Sequence, residues 1–272
     1  MRVVDARGRA LDLVEPARRV VSLVPSETAS VAALAGVDRL VGRTTWCDEP
    51  AGAIERVPTI GGTKDVDVDA VIALAPDLVL ANREENTRRA VERLDAAGLR
   101  VHVSFPCTVE ESLGYVATLA RLLGVAAPSI VLPPARPTRA RVFAPIWRDP
   151  WMTFDGRTYA SDLLAHLGGA NVFADRARMY PLAADLGDGE AIDPQGRDTR
   201  YPRTRVEEIC ARAPDLVLLP DEPYPFGAAE AEEVRGWGLD ARVVCVSGKD
   251  LFWYGVRTLA AMTRLAGDLE HE

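Results

Sequence analysis

Apolar and polar positions follow one pattern twice along this chain. Residues 68–80, Val-Asp-Ala-Val-Ile-Ala-Leu-Ala-Pro-Asp-Leu-Val-Leu, return at 206–218 as Val-Glu-Glu-Ile-Cys-Ala-Arg-Ala-Pro-Asp-Leu-Val-Leu, with Pro214 standing 138 positions after Pro76. Each copy reads as a short amphipathic helix, stopped by a proline that cannot continue it and feeding a buried strand. Around the first copy the spacing predicts strands at 20–24, 40–44, 78–81 and 101–105. It also predicts a helix capped by Ser26 and running through Ala35, a helix over 86–97 ended by Gly98, and a helix through Leu122 opened by the capping box Thr108/Glu111 and followed by Gly124. Around the second copy, strands fall at 141–146, 216–219 and 243–246, a helix over 159–167 is closed by Gly168-Gly169, and Thr204 with Glu207 forms a second capping box. Strands separated by helices imply parallel sheets flanked by helices. The fold class is therefore α/β, in two similar lobes.

Pro128, Pro133, Pro134 and Pro137 interrupt any helix between the halves, which places a Pro-rich linker at 126–140, an N-terminal lobe at 1–125 and a C-terminal lobe at 141–272. The Gly- and Asp-rich stretch 185–199 reads as an exposed loop. At 272 residues with 48% hydrophobic and 26% charged positions, the composition is that of a globular chain. A net charge of −8 argues against a nucleic-acid partner, and a monomer is expected. No apolar run approaches the roughly 18–20 residues needed to cross a bilayer. Charges occupy the N-terminal residues where a signal peptide carries its apolar segment, so a cytoplasmic location is expected, with a periplasmic or cell-surface one as the alternative if a leader has been removed. Cys47, Cys107, Cys210 and Cys245 are too scattered for a disulfide framework and read as packed thiols.

Ligands of parallel α/β sheets bind beyond the carboxyl ends of the strands. Trp46, Phe105, Trp147, Trp151, Tyr224, Phe226, Phe252, Trp253 and Tyr254 all follow predicted strands, although aromatics make up only 6% of the chain. Two readings stand: a shared aromatic cleft between the lobes, or rings that each cover their own core. Lys64, Arg83, Glu84, Glu85, Arg148 and Arg257 occupy neighbouring loop positions, as ligand contacts or solvated surface. Catalytic patterns are missing. There is no GxSxG elbow, Gly61-Gly62-Thr63-Lys64 lacks phosphate-loop spacing, and Asp65, Asp67 and Asp69 begin a calcium loop that Ala70 and Pro76 do not complete. The three histidines, His102 in a strand, His166 in a helix and His271 at the C-terminus, are too few for an imidazole metal cage.

Residues 19–28 (Arg-Val-Val-Ser-Leu-Val-Pro-Ser-Glu-Thr), Leu40-Val41-Gly42, Gly61-Gly62, Ala75-Pro76-Asp77 with the strand after it, and residues 168–175 (Gly-Gly-Ala-Asn-Val-Phe-Ala-Asp) resemble the helical-backbone, class III substrate-binding proteins of ABC importers. That group carries vitamin B12, haem and iron-siderophore complexes, and the likeness runs from about Val3 to Ala266. It implies two Rossmann-like lobes holding one ligand in the cleft between them, without catalysis and with no required cofactor; the ligand would be cobalamin, haem or a ferric siderophore. The ligand-binding residues implied by the motifs and the strand ends are Trp46, Lys64, Arg83, Phe105, Trp147, Arg148, Trp151, Tyr201, Tyr224, Trp253 and Tyr254. Tyr201, before Pro202, stands where cobalamin members carry a tryptophan; Ile60 and Asn82 replace two more, implying a more polar first-lobe wall. The resemblance also implies an ABC permease partner, docked through Asp69 and Glu207, the equivalent acidic positions of the two repeats. An enzyme resembling the chelatases, or a storage or sensing protein of the same fold, is the competing reading. Where the family joins its lobes with one long helix, this chain carries its prolines.

Overall fold

The computed structural model describes residues 2–270, so His271 lies outside the described residues. The chain divides into two compact units. Unit 1 comprises Met1–Pro106, Glu110–Val131 and Tyr254–Arg257; unit 2 comprises Cys107–Val109, Leu132–Trp253 and Thr258–Glu272. Neither is one continuous stretch, because four residues of the C-terminal half are built into unit 1.

Unit 1 runs β1 (Arg2–Val4), β2 (Ala10–Asp12), β3 (Val20–Ser22), α1 (Pro25–Ala35), β4 (Leu40–Arg43), α2 (Val68–Ala73), β5 (Leu78–Asn82), α3 (Arg88–Ala96), β6 (Val101–Ser104) and α4 (Val109–Leu123). Its main sheet is parallel, in the order β4-β3-β5-β6. Unit 2 runs β7 (Ala140–Phe143), β8 (Trp151–Met152), α5 (Tyr159–His166), β9 (Gly169–Asn171), α6 (Leu182–Asp185), β10 (Arg203–Thr204), α7 (Val206–Ala211), β11 (Leu216–Pro220), α8 (Ala228–Arg235), β12 (Arg242–Val246), α9 (Gly248–Phe252) and α10 (Thr258–Glu270). Its parallel sheet has the order β12-β11-β7-β9. Taken in chain order, both sheets have strand order 2-1-3-4, so each reverses direction between its first and third strands. That reversal opens a crevice at the carboxyl ends of β3 and β5 in unit 1, and of β7 and β11 in unit 2.

The central strands β3, β5 and β11 are buried along their whole length, which is why they read as nearly unbroken apolar runs. In unit 1, Val79, Ala81, Val101 and Val103 pack with Val68 and Val71 of α2 and with Ala90, Val91 and Leu94 of α3. In unit 2, Phe143, Val217 and Leu219 pack with Ile209 of α7 and with Ala231 and Val234 of α8. Each buried Val, Leu, Ile or Phe among these contributes roughly 1.5–3 kcal/mol by leaving water.

The repeated Ala-Pro-Asp proves to be a structural clamp. Ala75 and Ala213 adopt φ of 44° and 43°, a left-handed turn that ends the helix and swings the chain into its strand. Asp77 Oδ2 accepts the backbone N–H groups of Arg18 and Arg19, each at 2.9 Å, and Asp215 Oδ2 accepts that of Arg141 at 2.9 Å. The arginines complete the clamp from the other side. Arg19 donates to the carbonyls of Leu74 and Ala75, and Arg141 to those of Arg212 and Ala213, satisfying helix C-terminal groups that have no intrahelical donor.

Two helix starts differ from their sequence patterns. Pro25 opens α1, so Ser26 is the second helical residue and Val24 the cap. Thr204 is drawn into β10 by pairing with Trp151, and its hydroxyl donates to Glu208 Oε2 at 2.9 Å. No capping box with Glu207 forms, and Arg205 precedes α7 without a side-chain cap. Between Leu123 and Ala140 the chain forms no helix.

Because each clamp carboxylate satisfies backbone N–H groups on exposed chain, Asp77→Ala and Asp215→Ala should each lower stability by about 1 kcal/mol. Urea unfolding measures this, with the two effects similar in size.

Candidate ligand-binding surfaces

On unit 1, the ends of β4, β5 and β6 carry a basic and aromatic edge. Trp46, three residues past β4, is 67% exposed. Gly62 lets its indole lie against the 61–66 loop: a Cβ at this position would stand 3.3 Å from Trp46 Nε1. The Asn86 amide fixes that loop by donating to the carbonyls of Thr63 and Leu23, at 2.9 and 3.1 Å. Lys64 reaches back to the carbonyl of Glu84. The Arg83 guanidinium lies 4.9 Å over the Phe105 ring, a cation–π contact. Trp46, Lys64, Arg83 and Phe105 thus share one edge of one unit, while Arg257 is engaged with Glu49 at 3.0 Å.

Tyr254 is interior. Its hydroxyl lies 2.8 Å from Glu27 Oε1 and accepts from the Asn82 amide at 3.0 Å. Ile60 and Asn82 are each 1% exposed, so neither contributes the polar wall expected of them. Ile60 belongs to the apolar core, and Asn82 directs its amide to Ser104 and Tyr254.

On unit 2, a series of rings passes from the surface to the core. Trp147, 48% exposed, stands four residues past β7 and meets Tyr224, four past β11, edge-on at 5.6 Å. These are the two strands between which the sheet order reverses. Tyr224 packs on Phe226 at 4.6 Å, Phe226 stacks on Trp151 at 5.7 Å, and Trp151 meets Trp237 at 5.1 Å. Trp151 is 7% exposed and belongs to the core, so packing is its role here. Arg148 forms ion pairs with Glu233 at 2.7 Å and Glu230 at 3.6 Å, and lies over the Trp151 ring. Trp253 is buried with its indole N–H donated to Glu222 at 2.6 Å and Lys249 against its ring. Tyr201 is half-buried with the Arg200 guanidinium 5.5 Å away.

Asp69 and Glu207 are each the second residue of equivalent helices, α2 and α7, and both are exposed. Asp69 pairs with Arg93 at 3.0 Å. Glu207 borders a shallow pocket with Arg176, Met179 and Arg205. Among the described residues, no group of three or more His, Cys, Asp or Glu could hold a metal ion, and no helix is long and apolar enough to cross a membrane.

Comparison with known proteins adds to this geometry. Residues 20–128 match the periplasmic binding protein family. Over 94% of this chain and 97% of the other, the backbone superposes on the crystal structure of a periplasmic vitamin B12 binding protein of Vibrio cholerae, with a TM-score of 0.73 at 20% identity. The chain carries the fold of a periplasmic binding protein. A periplasmic haem binding protein from Pseudomonas aeruginosa gives a TM-score of 0.69 at 20% identity, covering 93% of this chain and 92% of that one. By sequence, the vitamin B12-binding protein of Vibrio parahaemolyticus is 31% identical over 185 residues, 61% of this chain and 65% of the relative. That of Yersinia pestis is 27% identical over 180 residues, 61% and 64%. The chain therefore spans just under two thirds of the length of these relatives. The family resemblance carried by the sequence motifs is borne out, and these proteins are binding proteins rather than enzymes.

The cytoplasmic location expected from the charged N-terminal residues is corrected by the same comparisons, since the matched family and the solved neighbours are periplasmic. An absent apolar stretch at the start of a sequence does not fix a compartment.

The difference between edge and core rings is measurable. Trp151→Ala should destabilise unit 2 by roughly 3–5 kcal/mol through the cavity it leaves, whereas Trp46→Ala should stay within about 0.5 kcal/mol, as for other exposed sites. Chemical denaturation of the two variants checks both.

Proposed function

We propose that this protein binds a corrinoid of the vitamin B12 class, non-catalytically, as the receptor of an import system. The observation that carries the reading is the pair of large indole rings left exposed beyond strand ends, Trp46 in unit 1 and Trp147 in unit 2. Exposed tryptophan is costly to hydrate and well shaped to lie against a flat macrocycle. The strand-end loops holding these rings carry no histidine, and a corrinoid, whose cobalt brings its own axial ligands, asks for none. Lys64 and Arg83 offer charge and hydrogen bonds to polar substituents at the rim. The sequence relatives that bind vitamin B12 support this ligand class over haem. A chelatase is not favoured: His102 lies inside β6, and His166 Nε2 is engaged with the Pro133 carbonyl at 2.7 Å.

Titration with cyanocobalamin, haemin and a ferric hydroxamate, read by tryptophan fluorescence, tests the ligand. Quenching by cyanocobalamin is expected, with Trp46→Ala and Trp147→Ala each weakening binding by about tenfold, equivalent to about 1.4 kcal/mol. Quenching by haemin alone would move the assignment to haem, and none by any of the three would remove the binding reading.

The same proposal assigns Asp69 and Glu207 to docking on a permease, supported by their equivalent, exposed positions on the duplicated helices. Reversing both charges should abolish import in reconstituted vesicles and leave ligand affinity unchanged; unaltered import would leave them as surface carboxylates that favour helix N-termini.

A further inference from the structure

One acid of unit 1 is fully buried, away from the exposed strand-end rings. Glu27, on α1, is 0% exposed. Its Oε1 accepts the hydroxyl protons of Ser104 at 2.5 Å and Tyr254 at 2.8 Å. Asn82 orients both hydroxyls by donating its amide to their oxygens, at 3.1 and 3.0 Å. Oε2 and the buried Tyr115 hydroxyl form no hydrogen bond of ordinary geometry, yet the Tyr115 hydroxyl lies near enough to Glu27 to favour its charged form. The elements packed around it are β5 with Asn82, β6 with Ser104 and His102, α4 with Tyr115, and the 254–257 segment with Tyr254. His102 stacks on Tyr115 with ring centroids 5.8 Å apart. Among the described residues, no Arg or Lys pairs with Glu27.

The partner that matters is Tyr254. It begins the four-residue segment Tyr254–Arg257, which belongs to unit 1 although Trp253 and Thr258 on either side belong to unit 2. Beyond Tyr254, groups of unit 1 hold the rest of the segment. The Gly255 N–H donates to Ser112 Oγ at 2.8 Å, the Val256 N–H to Ser30 Oγ at 3.3 Å, and Arg257 pairs with Glu49 at 3.0 Å. Gly255 has φ of +97° and a Cβ there would stand 2.4 Å from Ser30 Oγ, so the seat is cut for this backbone.

We propose that Glu27 is a proton-operated latch, whose neutral carboxyl holds the Tyr254–Arg257 segment in unit 1 and whose ionisation loosens it. Burial without a countercharge disfavours the carboxylate and pushes this group up from the usual 4.5 to about 7, the hydroxyls of Ser104, Tyr254 and Tyr115 offsetting part of the burial. Once the segment lifts, water reaches the acid and its ordinary pKa returns. The closed state therefore holds the extra proton between about 4.5 and 7: the latch is fully set below that range and is lost as pH rises through it, flattening above 7. Burial moves His102 the other way, down to about 4, so its protonation favours opening as pH falls. The two slopes have opposite signs and must be separated by a variant.

Hydrogen exchange followed by mass spectrometry on the full chain makes the separation. In the wild type, protection of the 255–257 amides, corrected for intrinsic exchange, should fall between pH 5 and pH 7 by up to about fortyfold more than in Glu27→Gln, whose side chain keeps the acceptor and cannot ionise. At pH 7 the variant should be the better protected. Equal protection in both proteins across that range would overturn the proposal. Should the variant fail to fold, infrared titration of the wild type decides: a protonated-carboxyl band lost with a midpoint near pH 7 supports the latch, and a midpoint near 4.5 overturns it.

Discussion

Everything at the working end of each sheet depends on how the opposite end is tied. In both units a carboxylate, Asp77 or Asp215, takes the backbone N–H of the neighbouring strand, while an arginine from that strand takes the last carbonyls of the preceding helix. The left-handed alanine before the proline lets helix and strand meet in so few residues. With one end closed by this tight, self-satisfied turn, the long loops that can carry varied side chains collect at the carboxyl ends of the strands. The clamp positions the candidate surfaces without touching them.

At those surfaces the rings form a gradient rather than a uniform wall. In unit 2 the series Trp147, Tyr224, Phe226 and Trp151 shares edges and faces from solvent inward, so the exposed indole rests on a foundation already fixed by core packing. A ring held this way loses little side-chain entropy when a ligand settles on it. In unit 1 the support is polar instead: Asn86 ties the 61–66 loop down, and Gly62 leaves room for the Asp65 carboxylate and the Trp46 indole.

The duplicated helix–strand unit, the parallel sheets and the proline break after α4 were legible in the sequence, because periodicity and proline act locally. The capping box at Thr204 was misread since the same residue could pair with Trp151, a partner 53 positions away that no local pattern reveals. Ring burial was equally invisible. Trp46 and Trp151 both follow strands, and only packing shows one at the surface and the other inside. Glu27 did leave a trace: it is the lone charge in the small and apolar helix Pro25–Ala35. A single acid on such a face signals an interior group, yet its partner Tyr254 lies 227 residues further on.

That separation constrains how the molecule is made. A ribosome releases residues 1–131 long before Tyr254, and until then Glu27, Ser104 and Asn82 lack the hydroxyl and the backbone that cover them. A freshly synthesised first unit must wait, with a polar gap in its interior, for almost the whole of the second to emerge. Its maturation is thereby coupled to completion of the chain, and a truncated product would carry an unfinished core that quality-control proteases can recognise.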